Sequence, residues 1–189
     1  MSLVDLIAQA DRRALAASGL ACLDRCVPLL GGDDEILRPL WSSLVAGQEW
    51  QERAAKARAE LGAEEMSDGD AERVFEAEAA RLARRMLDTF PARPTTEALR
   101  QWADACSVAA LQVHQLLDPA EDASPVEARR EGRTEGMPSL VAAELRRQIT
   151  VLELLAGHGP NGLRQALEVS TEGRRVLRAV VSRRARGRA

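Results

Sequence analysis

Apolar side chains recur along most of this chain at steps of three and four, the period of one face of an α-helix. The longest such run is 96–117, TEALRQWADACSVAALQVHQLL, where Leu99, Trp102, Cys106, Ala109, Val113 and Leu116 form one stripe. Ala103, Ala110 and Leu117 widen it, and Val108 and Leu111 place apolar groups elsewhere on the cylinder. A helix apolar around most of its circumference is expected at the centre of a bundle, with neighbours on several sides.

The flanking pattern supplies the neighbours. Ser2 with Asp5 makes a capping box before Leu3, Leu6, Ile7 and Ala10, and Gly19 is expected to interrupt this first helix. Leu20 to Leu30 follows as a second, which Pro28 should kink or shorten by a turn. Asp33 caps a third helix carrying Ile36, Leu37, Leu40, Trp41, Leu44 and Val45. It continues, bent at Gly47, through a more exposed stretch from Trp50 to Leu61. A loop at 62–69 leads to a helix opened by Ser67 with Asp70, carrying Phe75, Ala79, Leu82, Met86 and Phe90. Pro91 and Pro94 end it, and Thr95 or Thr96 caps the central helix.

Residues 118–138 have almost no apolar content and no period, so a mobile loop is expected there. Ser139 then caps a helix with Val141, Leu145, Ile149, Leu152 and Leu155, closed by Gly157. A short helix at 162–169 and a last one from Thr171 complete the chain, with a basic tail at 183–189. No segment alternates with period two. The expectation is therefore one all-α domain over 1–189, a bundle of about seven or eight helices around 96–117.

Several of these segments carry a likeness. Gly19-Leu20-Ala21-Cys22-Leu23, Pro39-Leu40-Trp41-Ser42-Ser43-Leu44 and Ala103-Asp104-Ala105-Cys106 followed by Leu111 occur in that order. Glu144-Leu145 and Val151-Leu152-Glu153-Leu154-Leu155-Ala156 extend the series. Over roughly 15–156 the chain resembles the YjaG-like family of uncharacterised all-helical bacterial proteins. The resemblance implies an all-helical fold in which the segments before and after 118–138 belong to one domain. It implies no activity. Pro28, the 118–138 segment and the arginine-rich end depart from the family's pattern.

Charge and cysteine content narrow the classes of function. A formal charge of −3 gives no general attraction to nucleic acid or anionic membrane. No apolar run approaches the roughly 20 residues that span a bilayer. Three scattered cysteines do not make a disulfide framework, and the start lacks a signal-peptide pattern, so a reducing, cytoplasmic setting is expected. Lys56 is the only lysine among 26 basic residues. With abundant alanine and no tyrosine, that bias reads as compositional rather than as arginine chemistry.

The candidate chemistry is sparse. Cys22 and Cys26 lie one helical turn apart and could join Cys106 around a metal, but a zinc site needs a fourth donor. His114 stands about 12 Å from Cys106 along the same helix, too far to share an ion or a proton with it. The cysteines are therefore expected in the core, with no metal, cofactor or catalytic residue assigned. Gly157-His158-Gly159-Pro160-Asn161-Gly162 spells G-x-G-x-x-G but follows a helix rather than a strand, so it is expected to end one helix and start the next.

Asp104, in the most apolar stretch, forms a polar stripe with Arg100 and Ser107. If buried it must be paired by Arg100 or by an arginine from another helix. It could alternatively line an interhelical pocket for an amine or guanidinium. Arg174, Arg175, Arg178, Arg183 and Arg184 lie on the last helix and could meet an anionic partner such as nucleic acid, or simply suit the helix's negative end. Trp50, on a weaker apolar face, is a candidate interface residue. The first expectation is a non-enzymatic, self-associating interaction protein, a homodimer or a binder of another protein. A nucleic-acid accessory role and a small-molecule binder or enzyme near Asp104 are the alternatives.

Overall fold

Short polar side chains set where the helices begin. In the computed structural model, which describes residues 1–33, 35–46, 50–62 and 74–187 (side chains of 62 and 160 excepted), the Asp5 N–H donates to Ser2 Oγ at 3.2 Å. The Ser2 N–H donates back to the Asp5 carboxylate at 3.0 Å. This box starts α1 (Leu3–Gln9). Asp11 accepts the Ala14 N–H at 2.7 Å and starts α2 (Arg12–Cys26).

The first break thus falls at Ala10, and Gly19 lies inside α2 rather than interrupting a helix. The reason is steric. The Trp102 ring occupies the space beside Gly19, where a Cβ would land 2.6 Å from Trp102 Cε3. Pro28 sits in a 3-10 turn, Val27–Leu29, that ends α2 early, as expected.

Asp33 takes the Glu35 N–H at 2.8 Å, but a turn intervenes before α3 (Arg38–Ala46). Then come α4 (Trp50–Gly62) and α5 (Val74–Asp88). The bend expected at Gly47, the 63–69 part of the expected loop and the Ser67–Asp70 start lie outside the described residues. Thr95 accepts the Ala98 N–H at 3.1 Å and opens α6 (Thr96–Leu117), the central helix with the bounds its pattern predicts.

Two further starts differ from expectation. Pro138, not Ser139, occupies the cap position of α8 (Ser139–Gly157), and Asp118 reaches across to take the Leu140 N–H at 2.7 Å. After His158, α9 (Gly159–Arg186) is one helix of 28 residues where two were expected, about 42 Å long. Ser170 and Thr171 do not open a new helix. Their hydroxyls donate to the Ala166 and Leu167 carbonyls, each at 2.9 Å, one turn back. The basic stretch from 183 continues this helix as far as Arg186.

The segment 118–138, for which a mobile loop was expected, carries α7 (Val126–Arg130) with Val126 and Ala128 buried. Arg129 gathers it. Its guanidinium donates to the Asp122 carboxylate at 2.6 and 3.2 Å and to the Arg133 and Glu135 carbonyls at 2.9 and 2.8 Å. Hydrogen bonding supplies here what apolar content does not, which is why hydropathy alone reads the segment as structureless.

These helices form a single all-α bundle, with no strand among the described residues. α6 is central: α2 and α5 pack against it most extensively, with α8, α1 and α7 completing its surround. α8 and α9 form an antiparallel hairpin against α2. Trp102 donates its indole N–H to the Met86 carbonyl at 2.8 Å. Phe90 stands edge-on to it at 4.8 Å, and Trp50 lies 5.0 Å from Phe90. This aromatic run ties α4 through the end of α5 to α6 and α2. No described helix is long and apolar enough to cross a membrane.

Candidate functional site

A polar chain crosses the bundle interior, and Asp104 lies at one end of it. α2 brings Arg25 inward between Cys22 and Cys26, and α8 brings Glu144 to meet it, both with fully buried side chains. Arg25 Nε and Nη2 donate to Glu144 Oε2 and Oε1 at 2.8 and 2.6 Å, a two-pronged pair. One turn along α8, Gln148 Nε2 donates to Glu144 Oε1 at 2.9 Å and to the Ser107 carbonyl at 3.3 Å. Ser107 Oγ donates to Gln148 Oε1 at 2.6 Å and accepts from Arg130 Nε at 3.1 Å. Arg130, buried on α7, ends the chain by donating to the half-exposed Asp104 carboxylate.

Charge in this interior is balanced by pairing. Burial works against Glu144's charge, but the Arg25 guanidinium, with a hydrogen bond from Gln148, outweighs it and holds the carboxyl below its usual range. Burial also works against the Arg25 cation, and Glu144 holds it protonated. His114 lies against the same carboxylate, its Nε2 at 3.7 Å from Glu144 Oε2, with Nδ1 2.7 Å from the Ala110 carbonyl. Burial wins there and lowers its pKa, so the ring is neutral, with the Nδ1–H donating to Ala110.

A second inward pair joins α2 to α9: Arg174 Nη1 donates to Asp24 Oδ1 at 2.5 Å, with the Asp24 side chain fully buried. Burial pushes the Asp24 carboxyl up to about 6, against the pull of Arg174, Arg25 and the Trp41 indole.

The sequence-level candidates find definite places. Asp104 is paired by an arginine from another helix, Arg130. Arg100 pairs instead with Glu97 at 3.2 Å. Trp50 is half-buried on Phe90. Arg174 is spent on Asp24, and Arg184 donates to Glu76 at 2.8 Å and to the Leu117 carbonyl at 3.4 Å. Arg175, Arg178 and Arg183 are exposed. Cys22, Cys26 and Cys106 are buried and free. Burial pushes the Cys22 thiol up to about 12 and raises the other two well above their ordinary value, so none is a ready thiolate. Among the described residues no group of three or more His, Cys, Asp or Glu side chains is placed to hold a metal ion. His158, exposed, marks the α8–α9 turn, and the G-x-G-x-x-G letters around it follow a helix.

Arg25, Glu144, Gln148 and Arg130 were not singled out in the sequence. A signal was present for two of them. Glu144 and Gln148 fall on the apolar stripe of Val141, Leu145 and Leu152, where a charge must be paired.

The surface recesses lie elsewhere. A groove of about 530 Å³ runs between α8 and α9, lined by Arg146, Arg147 and Thr150 on one wall and Glu168, Val169 and Glu172 on the other. Smaller hollows lie beside Arg178 near Gly31 and Gly32, and beside Arg12 and Thr95. No family model, curated protein or solved structure matches this chain.

Proposed function

We propose that this chain is a non-enzymatic helical interaction protein that associates with a second copy of itself. The supporting observation is where its polar side chains go. Asp104, Arg130, Ser107, Gln148, Glu144 and Arg25 form one connected chain that joins α2, α6, α7 and α8, so Asp104, the polar residue that stood out in the sequence, serves with its partners to hold helices in register. The surface left for contact is the open α8–α9 groove, together with exposed apolar residues such as Val45 and Phe75. Three free cysteines suit the reducing, cytoplasmic setting expected for such a protein. The YjaG-like resemblance stands with this reading and adds no activity to it. Sedimentation equilibrium over a range of concentrations tests it: a reversible rise to twice the chain mass is expected, and a single-chain mass at every concentration would refute it.

A second reading has its own observation. Arg175, Arg178, Arg183 and Arg186 are all exposed on the last four turns of α9, a basic surface suited to nucleic-acid phosphates. Its test is duplex binding that falls steeply with salt and is lost in an Arg175→Ala, Arg183→Ala, Arg186→Ala variant. Deleting the segment is the wrong control, because Arg174 and Leu177 are buried parts of the bundle.

A further inference from the structure

The α8–α9 groove differs from the interior in one respect: no close ion pair spans it. Arg146, Arg147 and Glu172 make no hydrogen bond or ion pair among the described residues, and Glu168 reaches only Arg164 on its own helix, at 3.8 Å. Arg147 is the most exacting case. Its Nη1 is buried without an acceptor, and its side chain packs over Gly173 beside that of Arg25. A Cβ on Gly173 would land 2.9 Å from Arg25 Cγ and 3.0 Å from Arg147 Cδ. Glycine inside a long helix costs about 1 kcal/mol relative to alanine, and here it makes room for two neighbouring cations. Burial and the Arg25 cation work against the charge of Arg147, and Glu144 and Glu172 of the same chain favour it without accepting a hydrogen bond from it.

The distribution of sign along the two walls bears on where the exposed charges find partners. α8 and α9 are antiparallel about His158, so residues equally far from the turn stand side by side. Near the turn α8 carries Glu153 and α9 carries Arg164; further away α8 carries Arg146 and Arg147 while α9 carries Glu168 and Glu172. The two walls are thus opposite in sign at two successive levels, and the sign alternates along each wall. A twofold axis running along the groove, parallel to both helices, lays α8 of one copy on α9 of the other and leaves every residue at its own level. Each positive group then faces a negative one, at both levels, and each facing helix pair is antiparallel. Such self-complementarity is what an isologous interface requires.

We infer that the α8–α9 face is the surface on which two copies of this chain pair, with Arg146 and Arg147 of each copy meeting Glu168 and Glu172 of the other. The inference rests on the self-association proposed above and specifies its site. A small molecule fits the groove less well. Arg146, Thr150, Glu168 and Glu172 are all exposed, so the groove is open along its length, whereas ligand sites enclose most of their occupant. The face is about 28 Å long and about 20 Å wide from helix dimensions. It would bury about 1,100 Å² in total, at the low end for specific interfaces, so the pairing is expected to be reversible and visible at high micromolar concentration.

Charge exchange tests it. Arg146 and Glu172 are exposed and make no hydrogen bond or close ion pair in their own chain, so Arg146→Glu and Glu172→Arg should leave the fold intact, which far-ultraviolet circular dichroism checks. Each variant alone is expected to dimerise at least about tenfold more weakly than the parent, because like charges then face each other twice across the axis. Mixing the two is expected to restore dimers of mixed composition, since both contacts are then between opposite charges, and native mass spectrometry distinguishes these from either homodimer. If the parent dimerises and both variants dimerise equally well, or if the mixture gives no mixed dimer, this surface is wrong while self-association stands. If the parent stays single-chain at every concentration, self-association fails and the surface fails with it.

Discussion

Replacing Glu144 by glutamine leaves the shape of the deepest ion pair nearly unchanged and removes half of its charge. Both carboxylate oxygens are in use: Oε2 takes Arg25 Nε, and Oε1 takes Arg25 Nη2 and Gln148 Nε2. A glutamine has one acceptor oxygen, so its amide hydrogens must point at donors on the other side, and the fully buried Arg25 cation loses its counter-charge. Breaking a buried pair from one side in this way costs about 3–5 kcal/mol. Arg25→Met removes the cation instead and leaves Glu144 unpaired beside His114, for a similar cost. Changing both at once, Arg25→Met with Glu144→Leu, removes the pair and its desolvation together. What remains is mainly one lost acceptor for Gln148, which keeps its bonds to Ser107, at about 1–2 kcal/mol. The double variant is therefore expected to be more stable than either single one. Urea unfolding at neutral pH measures this. With a slope of about 2 kcal/mol per molar for a domain of this size, a 3 kcal/mol loss moves the midpoint down by about 1.5 M. Single variants that shift it by less than about 0.5 M, or a double variant that costs the sum of the two, would refute the view that this pair is a coupled unit.

Gly19→Ala places a methyl 2.6 Å from Trp102 Cε3. The expected loss of about 1–3 kcal/mol from overpacking outweighs the gain of about 1 kcal/mol in helix propensity; a midpoint equal to or above that of the parent counts against the close α2–α6 contact. The pH dependence has two opposing parts. His114 has a lowered pKa, so the unfolded chain takes up a proton first as pH falls below about 6.5, and stability drops there; His114→Leu should flatten that drop. Asp24, with its carboxyl raised to about 6, binds its proton more tightly when folded. It therefore adds stability as pH falls from about 6 towards about 4, and Asp24→Asn should remove that rise. The opposite signs in urea titrations of the two variants would contradict these assignments. Arg129→Ala removes four hydrogen bonds that close 122–135 on itself, so limited proteolysis should cut that segment markedly faster in the variant, while equal rates would show that Arg129 does not hold it.

The fold was legible wherever periodicity was the whole message. The bounds of α6 follow from its apolar stripe and from Thr95, and the start of α1, though not its end, from Ser2 and Asp5. Periodicity failed where a single contact decided the outcome. Gly19 carries the mark of a helix break, and only the nearness of Trp102, distant in sequence, explains why a glycine sits inside α2. Ser170 and Thr171 resemble a helix start because their hydroxyls can cap; whether they cap forward or bond one turn back depends on α9 already having a surface to run along. Of the polar interior, Asp104 was visible because it interrupts the most apolar stretch, and its partner was expected to be an arginine. Which arginine could not be read, since α7 lies in a segment whose composition hides its structure. The exposed charges of α8 and α9 were individually ordinary, and their alternation in sign emerges only when the two helices are laid antiparallel.

The near-absence of lysine, read from the sequence as compositional bias, has a structural use in this bundle. Arg25, Arg129, Arg130 and Arg174 are all buried, and each grips a carboxylate, that of Glu144, Asp122, Asp104 or Asp24. Arg25 and Arg129 do so with two prongs, and Arg129 and Arg130 hold a further acceptor besides. A lysine offers one compact ammonium and could not span the two oxygens of Glu144 or reach from Asp122 to two carbonyls at once. The helices around these pairs are rich in alanine, whose small side chains leave shallow ridges and a weak preference for one sliding position over another. Directional pairs between α2 and α8, α2 and α9, and α6 and α7 supply the register that such packing leaves loose. Bulk apolar burial brings the helices together, and a few guanidinium–carboxylate pairs decide which residue stands opposite which. The same division of labour, carried to the outer face of α8 and α9, is what the proposed pairing of two copies would use.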